Sequence, residues 1–275
     1  MKNQAESLER LLRIHNQSRK YSKNIFAFAS GKGGTGKTFL ATNLAYNISI
    51  NGAKVLFIDF DSNLSNADVL LNINPTSSMI DYLRGEKKIR NCITKVQDNF
   101  FGIFGESGTE KFPQVTTNSI DRFIEEIDWL ADEFDFIFID TGAGINKEII
   151  HLLSNVSNIV LVINPEPTTI MDAYAVLKLI HPNDNRKFII VNSAYSKEEG
   201  EAAYENIYKA VNHFLKIKVE SLGQISFSTE IRQSIIEQKI LCKFNASSNS
   251  AKQIAQISQK LLEMNQLANI RHFVI

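Results

Sequence analysis

Eight residues near the start of the chain have the types and the spacing that phosphate binding requires. Residues 31–38 read Gly-Lys-Gly-Gly-Thr-Gly-Lys-Thr, in which Gly31, Gly36, Lys37 and Thr38 satisfy the pattern G-x-x-x-x-G-K-[ST]. The glycines let the backbone turn its N–H groups toward phosphate oxygens, and the start of the following helix adds a favourable field. We expect Lys37 to bridge the β- and γ-phosphates of a nucleoside triphosphate and Thr38 to offer its hydroxyl to Mg²⁺. The other loop residues expected to contact this nucleotide are Lys32, Gly33, Gly34 and Thr35.

Carboxylates that could hold the metal ion follow two apolar runs. Asp140 ends the run 134–140, and Thr-Gly-Ala-Gly follows it as a flexible loop. We therefore assign Asp140 to Mg²⁺, and Gly142 and Gly144 to sensing the γ-phosphate. Asp59 and Asp61 end the other run. A plainer interpretation stays open, in which Asp140 caps the next helix and the aspartate pair is structural.

These side chains need strands that end at one edge of a sheet. Short apolar runs alternate with helix-length amphipathic segments, and several runs are continuously apolar, as in parallel strands buried on both faces. The pattern predicts an α/β fold, a doubly wound, mostly parallel sheet flanked by helices, with ligands at the carboxyl ends of the strands. The predicted strands span residues 25–30, 54–58, 100–104, 134–140, 158–163, 187–192 and 219–225. The predicted helices span residues 37–51, 119–133, 147–154, 169–180, 200–214 and 230–237.

The two ends of the chain differ from this core. We predict one domain over residues 24–265, preceded by a basic amphipathic segment, 1–23, and followed by a tail, 266–275. Apolar residues at helical spacing within 252–265 favour core packing, whereas the tail is the better candidate for peripheral lipid contact. Neither a run of ~18 apolar residues nor the apolar core of a signal peptide is present, so we expect a cytoplasmic protein.

Charge argues against a protein that coats DNA, and the cysteine spacing argues against a redox or zinc site. Lys plus Arg and Asp plus Glu each total 30, so the formal net charge is zero, which disfavours a protein that coats DNA through bulk charge. Cys92 and Cys242 have neither a C-x-x-C nor a zinc-site spacing. We predict that both are structural thiols in a reducing compartment.

Lys32, directly after the first glycine, resembles the signature lysine of the deviant Walker A ATPases, the family of MinD, ParA and the nitrogenase iron protein. The resemblance implies an ATPase that uses ATP and Mg²⁺. It implies that Lys32 reaches across a homodimer to the partner's nucleotide, where a cation would stabilise phosphoryl transfer. It also implies that Asp61 orients the attacking water and that Asp59 supports the metal. By the same resemblance Asn66 contacts the nucleotide and Asn192 reads the adenine edge. Lys32, Lys37 and Asp61 would be the catalytic residues.

Two further segments resemble the FlhG branch of that family, the ATPases that set flagellar number. Residues 164–174, Asn-Pro-Glu-Pro-Thr-Thr-Ile-Met-Asp-Ala-Tyr, are similar to its N-P-E-P-T-x-x-x-D-A-Y string. Residues 3–9, Asn-Gln-Ala-Glu-Ser-Leu-Glu, resemble its D-Q-A-x-x-L-R motif, which stimulates the signal-recognition-particle-like GTPase FlhF. Gln4, Ala5 and Leu8 match this motif, whereas Asn3 and Glu9 depart from it. The resemblance, which covers residues 24–265, implies a spatial and numerical regulator of flagellum assembly with an FlhF-type partner.

The resemblance also implies other partners and leaves alternatives open. The partners would be a second copy of the chain in an ATP-dependent homodimer, flagellar basal-body components, a transcriptional regulator and the inner face of the cell membrane. A MinD-like division-site selector and a ParA-like DNA-partition ATPase are the alternatives, although neutral charge disfavours DNA binding. Iron–sulfur carriers of the family need a C-x-x-C pair, which the sequence lacks. Ser226 and Ser228 replace a Pro and an Asp of the relatives, which leaves the nucleotide contacts there open.

Overall fold

The computed structural model describes residues 22–61, 66–105 and 113–270, with side chains through residue 266. Its strands are β1 (Ile25–Ala29), β2 (Val55–Phe60), β3 (Thr94–Gln97), β4 (Phe100–Ile103), β5 (Phe136–Thr141), β6 (Asn158–Ile163), β7 (Arg186–Ala194) and β8 (Glu220–Ser226). They form one sheet in the order β3-β4-β2-β5-β1-β6-β7-β8. Strand β3 is antiparallel to β4, and the other neighbouring pairs are parallel. The predicted α/β, doubly wound sheet is confirmed.

Helices connect most of the strands and cover both faces of the sheet. They are α1 (Lys37–Ile50), α2 (Ala67–Leu71), α3 (Met79–Leu83), α4 (Thr117–Leu130), α5 (Lys147–Ser154), α6 (Pro167–Ile180), α7 (Lys197–Phe214), α8 (Thr229–Ile236), α9 (Leu241–Phe244) and α10 (Asn249–Ile270), with a 3₁₀ turn at Ile89–Cys92. Because parallel strands need crossover connections, these helices pack back on the sheet and bury it on both sides. No helix of the described residues is long and apolar enough to cross a bilayer.

Two apolar layers hold the sheet between its helices. On one face phenylalanines of β1 and β5, among them Phe28 and Phe138, pack with residues of α1 and α10. The ring centroids of Phe28 and Phe138 lie 5.0 Å apart, edge to face, an arrangement that aromatic pairs favour. On the other face aliphatic residues of the same strands, such as Ile139, pack with α4, α5, α6 and α7. Helix α1 therefore rests on a close-packed aromatic layer, which fixes the position of the loop in front of it.

The predicted strands and helices agree with the structure, but the sequence did not predict its shortest elements. Every predicted strand and helix is present within a few residues of its expected bounds. Strand β3 was not predicted because three of its four residues are polar and none of the four is buried. The short helices α2, α3 and α9 were not predicted either, since they contain four or five residues each. In α10, Ile254, Ile257 and Leu261 are buried, so the helical spacing near the C-terminus reflects core packing.

The described residues include only part of the two terminal segments, 1–23 and 266–275. Gln4, Ala5 and Leu8 of segment 1–23 lie outside the described residues, as do residues 271–275 of the tail. The division of the chain into 1–23, 24–265 and 266–275 stays a prediction.

Candidate functional site

The loop between β1 and α1 lies in the middle of the sheet's carboxyl edge. β1 pairs with β5 on one side and β6 on the other, so strand ends flank the loop. Gly34 and Gly36 have φ values of +80° and +84°, a left-handed conformation that strains other residues. Helix α1 starts directly after Gly36, and none of the described side chains caps it. Its first N–H groups therefore point at the loop, as anion binding requires.

Two glycines of the loop are needed because other residues approach them closely. A Cβ on Gly31 would lie 2.3 Å from the Cβ of Asp172 in α6, closer than any real contact. A Cβ on Gly36 would lie 2.3 Å from Nδ2 of Asn192. Gly33 has open space, with its nearest such neighbour 3.9 Å away. The first glycine of the pattern thus lets α6 pack on the loop, a reason separate from phosphate contact.

Lys37 and Thr38 of the loop both contact the buried carboxylate of Asp140, at the end of β5. The Lys37 ammonium lies 2.6 Å from Oδ1 of Asp140, and the Thr38 hydroxyl donates to Oδ2 at 2.5 Å. Lys37 is 7% exposed, and Asp140 is fully buried. Burial raises the pKa of the Asp140 carboxyl, while the Lys37 ammonium opposes that rise. Sequence reasoning expected all three residues at one place, and the structure puts them in direct contact.

Asp59, expected on the metal side, instead organises the backbone that follows β2. Its Oδ1 accepts the N–H of Asp61 at 3.1 Å, and its Oδ2 accepts the N–H of Ala67 at 3.2 Å. Asn66 occupies the N-cap position of α2, next to this contact. The structure thus gives Asp59 a bracing role, and its assignment to Mg²⁺ stays a prediction.

Asp61 lies against the loop that follows Asp140. Its Oδ1 is 3.1 Å from the point where a Cβ on Gly142 would stand, so a larger residue there would displace the carboxylate. Gly144 has a φ of +93°, and its N–H donates to the carbonyl of Ser30 at 3.1 Å. The 142–144 loop is therefore hydrogen-bonded to the start of the phosphate loop through Gly144 and lies against Asp61 at Gly142.

Asn192 braces the phosphate loop from β7. Its Nδ2 donates to the carbonyl of Thr35 at 2.7 Å, and the residue is 5% exposed. Its Oδ1 is buried without a hydrogen-bond partner among the described residues. Because a buried acceptor without a partner is costly, this atom is one to which a ligand N–H could donate.

Lys32 forms a contact that the sequence did not predict. Its ammonium lies 2.7 Å from Oε2 of Glu166 and 3.3 Å from the Thr168 hydroxyl, both at the start of α6. The side chains of Lys32 and Glu166 are 38% and 59% exposed. Glu166, Thr168 and Asp172 were noted only as part of the string 164–174, although that string held the signal for their position beside the loop.

Comparison with known proteins decides the family. The ParA family, described as NUBPL iron-transfer P-loop NTPase, matches residues 21–262. This chain belongs to the ParA/MinD family of P-loop NTPases. It is 32% identical over 268 residues to the flagellum site-determining protein YlxH of Helicobacter pylori, covering 95% of this chain and 91% of the relative. It is 27% identical over 256 residues to the antiactivator FleN of Pseudomonas aeruginosa, covering 91% of each chain.

A solved structure supports the same assignment. The septum site-determining protein MinD complexed with Mg-ADP from Pyrococcus horikoshii resembles this chain with a TM-score of 0.76 and 26% identity. The match covers 90% of this chain and 98% of that one. The ParA/MinD resemblance and the P-loop fold expected from the sequence are both confirmed.

The residues at the ParA/MinD site of this chain fit a magnesium nucleotide. Asp140 and Thr38 offer hard oxygen atoms, the donors that Mg²⁺ prefers. The described residues contain no group of three or more His, Cys, Asp or Glu side chains that could hold a metal. A metal ion here would therefore complete its coordination with phosphate oxygens and water. Lys37 and the start of α1 would bind the phosphates beside it.

Proposed function

We propose that this chain is an ATPase that dimerises on binding ATP, hydrolyses it to ADP and phosphate, and regulates the position and number of flagella. The observation that carries the proposal is the contact of Lys37 and Thr38 with the buried Asp140. Phosphoryl transfer needs little covalent chemistry from a protein, so cations and a metal site at a rigid loop are sufficient machinery. We propose that Asp61 orients the attacking water, and its position beside Gly142 supports this role.

The surroundings of Lys32 support dimerisation. In the single chain its ammonium is bound to Glu166 and not to the Asp140 site. Ile145, next to the Gly144 loop, and Met171, next to Asp172, are 42% and 64% exposed. Large apolar side chains exposed beside a candidate active site are typical of a surface that another molecule covers. A two-fold related copy on this face would bring each Lys32 to the partner's nucleotide.

The flagellar role rests on the relatives and on the N-terminal motif. The two relatives named above are a flagellum site-determining protein and an antiactivator, and each match covers more than nine-tenths of this chain. Gln4, Ala5 and Leu8 retain part of the motif that stimulates an FlhF-type GTPase. The proposed partners are therefore that GTPase, basal-body components and a transcriptional regulator. The tail 266–275 is proposed to contact the membrane peripherally, with two copies per dimer raising its avidity.

The first experiment measures phosphate release and molar mass by light scattering with Mg-ATP over a range of protein concentrations. We expect the rate per chain to rise with concentration as dimers form. Lys32→Ala should bind ATP normally but hydrolyse it on the order of tenfold more slowly, because a transition-state cation is lost. Lys209→Ala is the matched control, since Lys209 is 73% exposed on α7. A concentration-independent rate together with full activity of Lys32→Ala would refute the shared active site.

The second experiment tests the partner. A peptide of residues 1–23 should accelerate GTP hydrolysis by an FlhF-type GTPase, and the same peptide with Gln4→Ala should not. Acceleration by neither peptide would remove the main reason to prefer a flagellar role over MinD-like division-site selection.

A further inference from the structure

Helix α4 and the residues just after it concentrate negative charge in a chain whose net charge is zero. Residues 117–135 contain seven Asp and Glu residues but a single basic residue, Arg122. The aliphatic and phenylalanine side chains of α4 are buried against the sheet. On its outer side acids recur every three or four residues: Asp121, Glu125, Asp128 and Asp132. Trp129, 58% exposed, lies among these four acids, and we call the five residues the acidic surface of α4.

This charge is placed where it destabilises the helix. Like charges at this spacing repel one another, and the C-terminus of a helix favours cations over anions. Helix α4 has no acid in its first turn and no basic residue in its last turn. Some acids of residues 117–135 have a histidine or arginine partner: Asp121 with His151, Glu126 with Arg122, and Glu133 with Arg90. Asp132 has no ion-pair partner among the described residues, so a further cation here would be stabilising.

The N-terminal segment joins the domain at this same end of α4. The Ser22 N–H and hydroxyl both donate to Oδ1 of Asp128, at 3.0 and 2.6 Å. Two residues on, Nδ2 of Asn24 donates to two backbone carbonyls at the end of α4 and just after it, at 2.9 and 2.7 Å. Because Asp128 is next to Trp129 in the chain, residues 1–21 are attached beside the acidic surface.

Residues 1–21 have the composition that this surface requires. They contain five Lys and Arg residues but two Asp and Glu residues, and their apolar residues include Leu8, Leu11 and Leu12. Their charge is opposite to that of α4, and a tryptophan ring can contact both aliphatic side chains and cations. The 14 residues of α4 span about 21 Å, which a segment of this length can follow. A covalent tether also gives an effective concentration on the order of millimolar, so weak contacts are sufficient.

From charge, attachment and reach we infer that the acidic surface of α4 binds residues 1–21 of the same chain. The bound segment keeps Gln4, Ala5 and Leu8 at the domain and withholds them from a GTPase partner. The contact with α4 is independent of the proposed function, whereas its consequence for the partner rests on that function. Stimulation of the partner then requires that the segment first leave α4.

The single tryptophan of the chain allows a direct test in the full-length protein. We expect Arg10→Glu with Arg13→Glu to shift Trp129 emission to longer wavelength and to raise its quenching by acrylamide, because the covering segment leaves. Glu125→Lys with Asp132→Lys should have the same effect from the other side of the contact. Combining all four changes should restore wild-type quenching, since the two charges are opposite again, and it would also show that the variants fold.

Salt and a control variant separate charge from other effects. The Debye length falls from about 10 Å at 0.1 M salt to about 3 Å at 1 M, so quenching of the wild type should approach that of the released variants. Lys209→Glu is the control, because Lys209 is 73% exposed on α7, and it should behave as the wild type. The variant with Glu125→Lys and Asp132→Lys keeps residues 1–23 intact. It should therefore stimulate an FlhF-type GTPase more strongly than the wild-type chain does.

The outcomes distinguish the contact from the proposed function. Unchanged emission and quenching in both double variants would refute the contact, even if the peptide of residues 1–23 stimulates the GTPase. Quenching that depends on protein concentration would show that the segment of a second copy covers α4, which would refute binding within one chain. Release of the segment as expected, without stimulation of the GTPase by any variant, would retain the contact and remove the proposed partner.

Discussion

Replacing Gly31 by alanine tests whether the close packing of α6 on the phosphate loop requires a glycine at this position. The added Cβ would lie 2.3 Å from Cβ of Asp172, 2.6 Å from its carbonyl carbon and 2.9 Å from its carbonyl oxygen. Two of these three atoms are backbone of α6, so the side chain of Asp172 cannot relieve the clash by changing rotamer. The loop or the helix must shift, and overpacking of this kind costs about 1–3 kcal/mol.

The assay is urea unfolding without nucleotide, which separates packing from phosphate binding. We expect Gly31→Ala to lower the free energy of unfolding by about 1–3 kcal/mol, a fall in melting temperature on the order of 5 °C. Gly33→Ala is the matched control, because its nearest neighbour lies 3.9 Å away. That variant should keep its stability or gain about 0.4–1 kcal/mol through a less flexible unfolded chain.

A double variant sharpens the result. Asp172→Gly added to Gly31→Ala removes the 2.3 Å contact but leaves the two backbone contacts, so only part of the stability should return. Equal stability of Gly31→Ala and Gly33→Ala would refute the packing argument. Full recovery in the double variant would show that the side chain of Asp172, and not the backbone of α6, sets the constraint.

Three other outcomes are expected. Lys37→Ala should lose about 3–5 kcal/mol of unfolding free energy in the same urea assay, because Asp140 would remain buried without its partner; a loss below about 1 kcal/mol would contradict the buried pair. Asp61→Ala should slow ATP hydrolysis on the order of hundredfold and accumulate an ATP-bound dimer, so a species that stays monomeric in light scattering would count against the mechanism. Burial raises the pKa of the Cys92 thiol to about 11 and that of Cys242 to about 12, so both should resist a thiol reagent at pH 8 in the folded protein and react once it is unfolded. Rapid reaction of the native protein would show that one of them is accessible.

Local sequence patterns predicted most strands and helices, and they predicted the phosphate loop and Asp140 of the candidate site. The loop 31–38 is contiguous, and Asp140 follows a continuous apolar run, so both could be found without tertiary information. Strand β3 could not be predicted, because a short, mostly polar edge strand has no distinctive pattern. The contact of Lys32 with Glu166 joins residues 134 positions apart, and that of Asn192 with Thr35 joins residues 157 apart. Both depend on strand order, which places β6 next to β1 and β7 next to β6, and β-α alternation does not determine that order.

Asp59 shows a different limit of sequence reasoning. A carboxylate at a strand end matched the requirement for a metal ligand, but nearby backbone N–H groups compete for the same oxygens. Residue type and spacing identify what a side chain could bind, whereas its hydrogen bonds to the backbone depend on the local path of the chain, and the assignment of Asp59 to Mg²⁺ stays a prediction.

The buried pair of Lys37 and Asp140 affects how the phenotypes of mutants in cells should be interpreted. Among the described residues the two form an ion pair with each other that is nearly sealed from solvent, so replacing either one alone should affect folding. A null phenotype from Lys37→Ala would therefore report lost protein and lost nucleotide binding together. Replacing both residues by apolar ones of similar volume would restore the abundance of the protein without restoring the site. Comparing the single and double mutants in cells would separate the two losses.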